Sequence, residues 1–320
     1  MLNAQAAGAV AVVIFNQGNT SDREGLIGGR LDSPTATTIP VVGATYALGA
    51  EWFLSPVATM RILVDALSGT LTTSNVIAEL AGSQPTMIIA GAALGSLAGS
   101  PGINANASGA AALLETAVQM ARVRPRNTVR FAWWASGDPF GAAQHVAGLT
   151  PEELAATALY LNFDVIASPN YVRFVYDGDG SASGLPGPDG SAAIESVIGS
   201  FYAARGLAVE PQSLAILTDH LPFASVGIPV GGIHSGAIGI KTPAEAAVYG
   251  GVAGVAYDPC YGLACDTFAN VNADLLDLNA DIVASSVVTF GMSVAAVNGR
   301  PGRGNSPSHA LAAGTTTVDR

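Results

Sequence analysis

The chain has 320 residues, 49% hydrophobic and 12% charged, with 38 glycines and 18 prolines; this excludes disorder, coiled coil and collagen and allows a sizeable buried core. Asp and Glu number 24 against 13 Lys and Arg, a formal charge of −11 with Lys241 the single lysine, so no nucleic-acid or anionic-membrane partner is expected. Mean hydropathy is +0.41, yet the longest uncharged helical stretch, residues 282–297, carries three serines and falls short of a membrane span.

Residues 8–15, Gly-Ala-Val-Ala-Val-Val-Ile-Phe, form a near-continuous apolar run that predicts a strand buried on both faces. Residues 38–42 and 58–64 read as further short strands and 46–53 as a short helix. From about residue 72 strands and helices alternate. Strands are predicted at 87–90, 128–134, 159–163, 172–176 and 228–233, and helices at 108–123, near 151–156, at 191–205 and at 274–294. Such alternation predicts an α/β fold with a doubly wound, mostly parallel sheet, whose ligands sit beyond the carboxyl ends of the strands. The segment after Asn298 has no periodicity and is expected to be a disordered tail over 299–320.

Both cysteines, Cys260 and Cys265, lie in one Pro-led turn, which favours a local disulfide over two unrelated thiols. A disulfide implies an oxidising compartment, whereas the first residues, Met1-Leu2-Asn3-Ala4-Gln5, carry no basic segment leading an apolar one, as a signal peptide would. Several other motifs weigh toward structure. His145 reads as a surface or half-buried helix residue, and Asp277 and Asp281, at i and i+4, as a solvated helix face with only a weak case for calcium. Asp177-Gly178-Asp179-Gly180 reads as a turn, because an EF-hand starting at Asp177 would need its bidentate Glu where Pro188 stands. There is no Gly-x-Ser-x-Gly elbow, and the Gly-rich stretch at 91–109 has neither the Walker lysine nor dinucleotide spacing.

Two blocks of motifs carry a family resemblance. Asn3-Ala4-Gln5-Ala6-Ala7-Gly8-Ala9 followed by an apolar strand resembles the second half of a protease-associated domain. Gly91-Ala92-x-Leu94, Pro101-Gly102-Ile103-Asn104-x-Asn106-x-Ser108-Gly109, Phe131-Ala132-Trp133-Trp134, Asn162-Phe163-Asp164 and Tyr257-Asp258-Pro259-Cys260-Tyr261 follow the order of the M28 zinc aminopeptidases. The resemblance runs from about residue 3 to 297 and implies a partial protease-associated domain over 1–67 and an M28 peptidase-like domain over 68–298. It implies an extracellular or cell-envelope location, and relatives continue upstream of Met1, so a misplaced start or a shortened copy is expected.

The family holds two zinc ions through two histidines and three carboxylates, with a further Glu as general base on metal-bound water. Carried over by motif, the first His falls on Ala93, the bridging Asp on Ala105 and the last His on Gly262. The general base falls on Gly137, the ligand Glu on Asp138 and the third carboxylate on Asp164. Asp164 alone is preserved, Asp138 is one methylene short, and Tyr261 stands where relatives place an oxyanion-stabilising tyrosine. Two carboxylates are too few for an ordinary catalytic zinc, and loss of a general base alone costs on the order of 10² to 10⁴ in rate. The losses are also mutually consistent. Without metal, carboxylates crowded in a cleft repel, and alanine or glycine removes that cost.

These observations predict a catalytically inactive peptidase-fold protein that needs no cofactor and binds peptides or proteins through its cleft. One alternative is an active metallo-aminopeptidase with a rearranged site, in which Asp219 and His220 of Thr218-Asp219-His220-Leu221-Pro222-Phe223, similar to a segment near the active site of relatives, join Asp138 and Asp164. The other is a truncated or engineered fragment without molecular function.

Overall fold

The computed structural model describes residues 1–19, 24–26, 37–55, 59–65, 72–135 and 139–298, which fall into two compact units, Met1–Thr72 and Thr73–Arg320. The predicted tail at 299–320 lies outside the described residues.

In the first unit a short helix, α1 (Leu2–Ala6), precedes strand β1 (Val12–Phe15), which pairs in parallel with β2 (Val41–Ala44). Helix α2 (Tyr46–Leu54) starts where the Thr45 hydroxyl accepts from Leu48 N–H at 3.4 Å. It closes onto β1 because Gly49 has no Cβ; one built there would overlap the Phe15 side chain. Two expectations need correction. The strand predicted over 8–15 is only four residues long and half-buried, because its described ladder has one partner instead of two. The strand predicted over 58–64 is absent at described residues 59–65, which are mostly exposed and have no pairing partner.

The second unit is built on a seven-stranded sheet of β3 (Val76–Leu80), β4 (Met87–Ala93), β5 (Thr128–Trp134), β6 (Thr157–Phe163), β7 (Phe174–Tyr176), β8 (Glu210–Gln212) and β9 (Val230–His234). Its order is β3-β5-β4-β6-β9-β7-β8; β3 on β5 and β7 on β9 are antiparallel and the other pairs parallel. Period-two alternation sends side chains into two cores. Ile88, Ala90, Ala92, Val129, Phe131, Trp133, Leu159, Leu161 and Phe163 pack with α3 (Ser108–Met120), α6 (Ser191–Ala203) and α9 (Ala273–Met292). Met87, Ile89, Ala132, Trp134 and Tyr160 pack on the other face with Ala142 of α4 (Phe140–Ala147) and Phe223 of α7 (Leu221–Ser225). The sheet is thus wound on both faces, as the alternation predicted.

Helix α5 (Pro151–Ala156) begins in a capping box in which Thr150 and Glu153 satisfy each other's backbone N–H groups. The same device starts α8 (Pro243–Tyr249), with Thr242 and Glu245, and α10 (Ala295–Asn298) ends the described chain. By length and composition α9 could cross a membrane, a stretch longer than the sequence suggested, but Leu275, Ile282, Val283, Val287 and Phe290 on it are core residues.

Candidate functional site

The carboxyl ends of β4 and β6 lie side by side, because Gly91 pairs with Asn162 in a parallel ladder. This register sets Ala93 beside Asp164. The Ala93 N–H donates to Asp164 Oδ1 at 2.8 Å, and Asn162 Nδ2 donates to Asp164 Oδ2 at 3.1 Å. Asp164 is buried; burial pushes its carboxyl above the usual range, against hydrogen bonds from Ala93, Asn162 and Asp219. A buried polar chain continues from there. Trp134 Nε1 donates to Tyr160 Oη at 2.9 Å, Tyr160 donates to Asn162 Oδ1 at 3.1 Å, and Asn162 Nδ2 also reaches Tyr176 Oη at 3.0 Å. Burial raises both tyrosines, and the charges of Asp164 and Asp219 add to it.

Asp219 and His220 part company. The Asp219 carboxyl reaches Asp164, whereas His220 Nε2 lies 2.8 Å from Leu214 O and Nδ1 lies 2.6 Å from Thr218 Oγ1. A carbonyl only accepts, so Nε2 carries the proton and Nδ1 accepts from the threonine. Burial lowers this imidazole to about 4, so it is neutral at pH 7 with both nitrogens engaged. In this geometry the Asp219 carboxyl faces Asp164, while both His220 nitrogens are engaged with Leu214 and Thr218.

A second construction holds the Gly-rich loop. Residues 103–107 form an irregular turn ahead of α3, leaving helical geometry at Ala105 and Asn106, and Asp266 braces it, accepting from Asn104 N–H at 2.9 Å and Ala105 N–H at 3.1 Å. Asn104 Nδ2 donates to Asp258 Oδ2 at 2.7 Å, and Asn270 Nδ2 joins Asp258 Oδ1 at 2.8 Å to Asp266 Oδ1 at 3.2 Å. No role for Asp258, Asp266, Asn104 or Asn270 was legible in the sequence. The signal available was a pair of aspartates bracketing the cysteine turn. Cys260 and Cys265 form a disulfide there, with Cα atoms 5.3 Å apart. Within that loop Tyr261 is half-buried, and Gly262 has a left-handed φ of 69°.

Gly137 and Asp138 lie outside the described residues. At the other positions to which the resemblance assigns zinc ligands, one donor side chain remains among the described residues, fewer than a zinc ion needs. Ala93 and Ala105 are buried methyl groups and Gly262 has no side chain, so of these positions only Asp164 offers a donor atom. Elsewhere, His145 is half-buried 5.3 Å from the Trp134 ring, Asp277 is exposed, and Asp281 pairs with Arg205 at 3.6 Å. Asp177, Asp179 and Glu195 converge, each with a carboxylate oxygen within 4.8 Å of the others.

The Peptidase family M28 pattern matches residues 75–287, and the PA domain pattern matches residues 1–52. The chain belongs to peptidase family M28. This M28 chain is 45% identical over 285 residues to an aminopeptidase of Pseudomonas aeruginosa, covering 88% of itself and 53% of that protein. It is 35% identical over 304 residues to leucine aminopeptidase 2 of Trichophyton equinum, covering 93% of itself and 60% of that protein. The M28 chain thus spans little more than half the length of these relatives. Its fold resembles the aminopeptidase from Aneurinibacillus sp. strain AM-1, with a TM-score of 0.64 at 24% identity, covering 89% of this chain and 64% of that one. It also resembles BSAP, a zinc aminopeptidase from Bacillus subtilis, with a TM-score of 0.59 at 20% identity, covering 90% and 65%.

Proposed function

We propose that this M28 homologue is catalytically inactive and keeps the peptidase fold as a scaffold for binding peptides or proteins at the strand ends. One observation carries the reading: at positions that the resemblance assigns to metal ligands, the buried side chains of Ala93 and Ala105 are methyl groups, and Asp164 is the one described donor left. With Gly262 also lacking a side chain, these residues support no metal-assisted step of hydrolysis. The disulfide supports an extracellular or cell-envelope location, where such bonds persist. The net charge of −11 speaks against nucleic acid as the partner.

A second reading, an active metallo-aminopeptidase with a rearranged site, is favoured by the approach of Asp219 to Asp164, which places two carboxyls together. Elemental analysis of zinc-supplemented, dialysed protein, with an aminoacyl chromogenic substrate assayed on the same sample, separates the two. The expected result is no retained zinc and no turnover. Zinc near two per chain with chelator-sensitive turnover overturns the proposal.

A further inference from the structure

We propose that Asp177, Asp179 and Glu195 form a calcium site at the carboxyl end of β7, built from none of the family zinc positions. Strand β7 ends at Tyr176, so Asp177 and Asp179 open the loop beyond it, and Glu195 lies in the second turn of α6. One carboxylate oxygen of each lies within 4.8 Å of the other two. An ion centred among three such oxygens sits within about 2.8 Å of each, and a closure of a few tenths gives the 2.3–2.6 Å of calcium. Three carboxylates with no nitrogen or sulfur are the donor set of a hard cation, not of zinc.

A second observation points to a ligand independently of this crowding. Asp177 is fully buried, and its Oδ1 has no hydrogen-bond partner, while Oδ2 accepts from Ser183 N–H at 2.7 Å and Ala182 N–H at 3.2 Å. A buried ionised oxygen without a donor is costly, and Asp179 can offer it a bond only as a protonated acid. Burial pushes Asp177 up, but the hydrogen bonds its carboxyl accepts from Ser183 and Ala182 help to outweigh it and hold the carboxyl below its usual range. Burial raises Glu195, and the charges of Asp179 and Asp177 add to it. Among the described residues no ion pair includes any of the three acids. Negative charge is thus concentrated without a counter-charge, and a divalent cation supplies one.

The surroundings leave room for the rest of a coordination shell. Asp179 and Glu195 line an open cleft of about 400 Å³ together with Ser181 and Glu210, from which water can complete the six to eight oxygens calcium takes. The loop is already shaped: Gly178 and Asp179 N–H groups donate to Glu195 Oε2 at 2.8 and 3.1 Å. Binding would therefore tie the β7 end to α6 with little rearrangement.

The test uses the whole chain, stripped with chelator and titrated with calcium by calorimetry, with terbium luminescence excited through Tyr176 as a second readout. One saturable calcium per chain is expected, with Kd in the range of about 10⁻⁵ to 10⁻³ M. Saturating calcium should raise the melting midpoint by a few degrees. Asp179→Asn and Glu195→Gln should each weaken binding at least ~10-fold, since both lower the ligand charge count. Asp179 is exposed, so its variant should melt like the wild type without calcium. Asp277→Asn, on α9, should bind as the wild type does. No saturable binding by the wild type overturns the proposal, as does wild-type affinity in Asp179→Asn or loss of binding in Asp277→Asn alone. The outcome is independent of whether the chain hydrolyses peptides.

Discussion

Restoring the last family ligand by Gly262→His tests the site from its backbone outward. Gly262 holds φ at 69°, where an L side chain costs roughly 1–2 kcal/mol. A Cβ there would overlap the end of the Leu97 side chain. Leu97 is half exposed, so it can yield at a further cost of roughly 0.5–1.5 kcal/mol for an off-rotamer angle. The sum, about 1.5–3.5 kcal/mol, lowers the melting midpoint by several degrees in a unit of this size. Gly262→Asn carries the same Cβ but tolerates the left-handed region, so it should lose less. Thermal melts followed by Trp133 and Trp134, both buried in the second unit, measure this directly. The variant should also gain no zinc-dependent stabilisation, because one added histidine still leaves Ala93 and Ala105 without donors. Melting within half a degree of wild type would refute the backbone argument. A clear rise in midpoint with zinc would refute the proposed loss of the metal site.

Three further outcomes follow from buried groups. Burial holds His234 at about 4, while an unfolded histidine titrates near 6.5, so the unfolded state binds more protons as pH falls between these values. Wild-type stability should therefore fall by up to about 3 kcal/mol on this residue's account from pH 6.5 to 4. His234→Asn keeps an acceptor for Gly236 N–H and should flatten that part of the urea-midpoint curve; an unchanged curve counts against it. Asp266→Ala strips acceptors from Asn104 and Ala105 N–H, and a loss of about 3 kcal/mol or more in urea unfolding is expected. Asp266→Asn, which keeps one acceptor oxygen, should lose clearly less, and equal losses would refute the bracing role. Replacing Cys260 and Cys265 together by serine opens a loop of about six residues, and chain entropy puts the cost at about 2 kcal/mol; wild-type stability in the variant would refute a closed disulfide.

Much of the second unit was legible because its elements carry local signals. The strand at Thr128–Trp134 and the helix at Pro151–Ala156 match their predicted bounds, one from an apolar run and the other from Thr150-Pro151 with Glu153 behind it. Val76–Leu80 was missed because it is an exposed antiparallel edge, where burial imposes no pattern. Apolar residues near 59–65 suggested a strand, but pairing is non-local and no ladder forms there. In the site, strand ends and ligand positions could be placed by motif, and Asp164 with Ala93 meets at the expected register. The brace on the Gly-rich loop could not. Asn104 meets Asp258 and Asp266 across more than 150 residues of sequence, and only the folded chain brings them together.

That brace gives the proposed loss of ligand residues a structural basis, because the Gly-rich loop is held without them. A metal that bridges a Gly-rich loop to neighbouring strands also acts as a cross-link, so losing its ligands would ordinarily free the loop. Here the loop is tied through backbone N–H groups, from Asn104 and Ala105 to Asp266, and these bonds do not depend on the side chain at position 105. Asp164 is held in the same manner by Ala93 N–H, a bond any residue at position 93 can make. Alanine at 93 and 105 therefore removes donor atoms without removing a structural bond. On the proposed reading, positions 93, 105 and 262 are left uncharged with the Gly-rich loop still braced, which is what holding an extended chain without polarising its carbonyl requires.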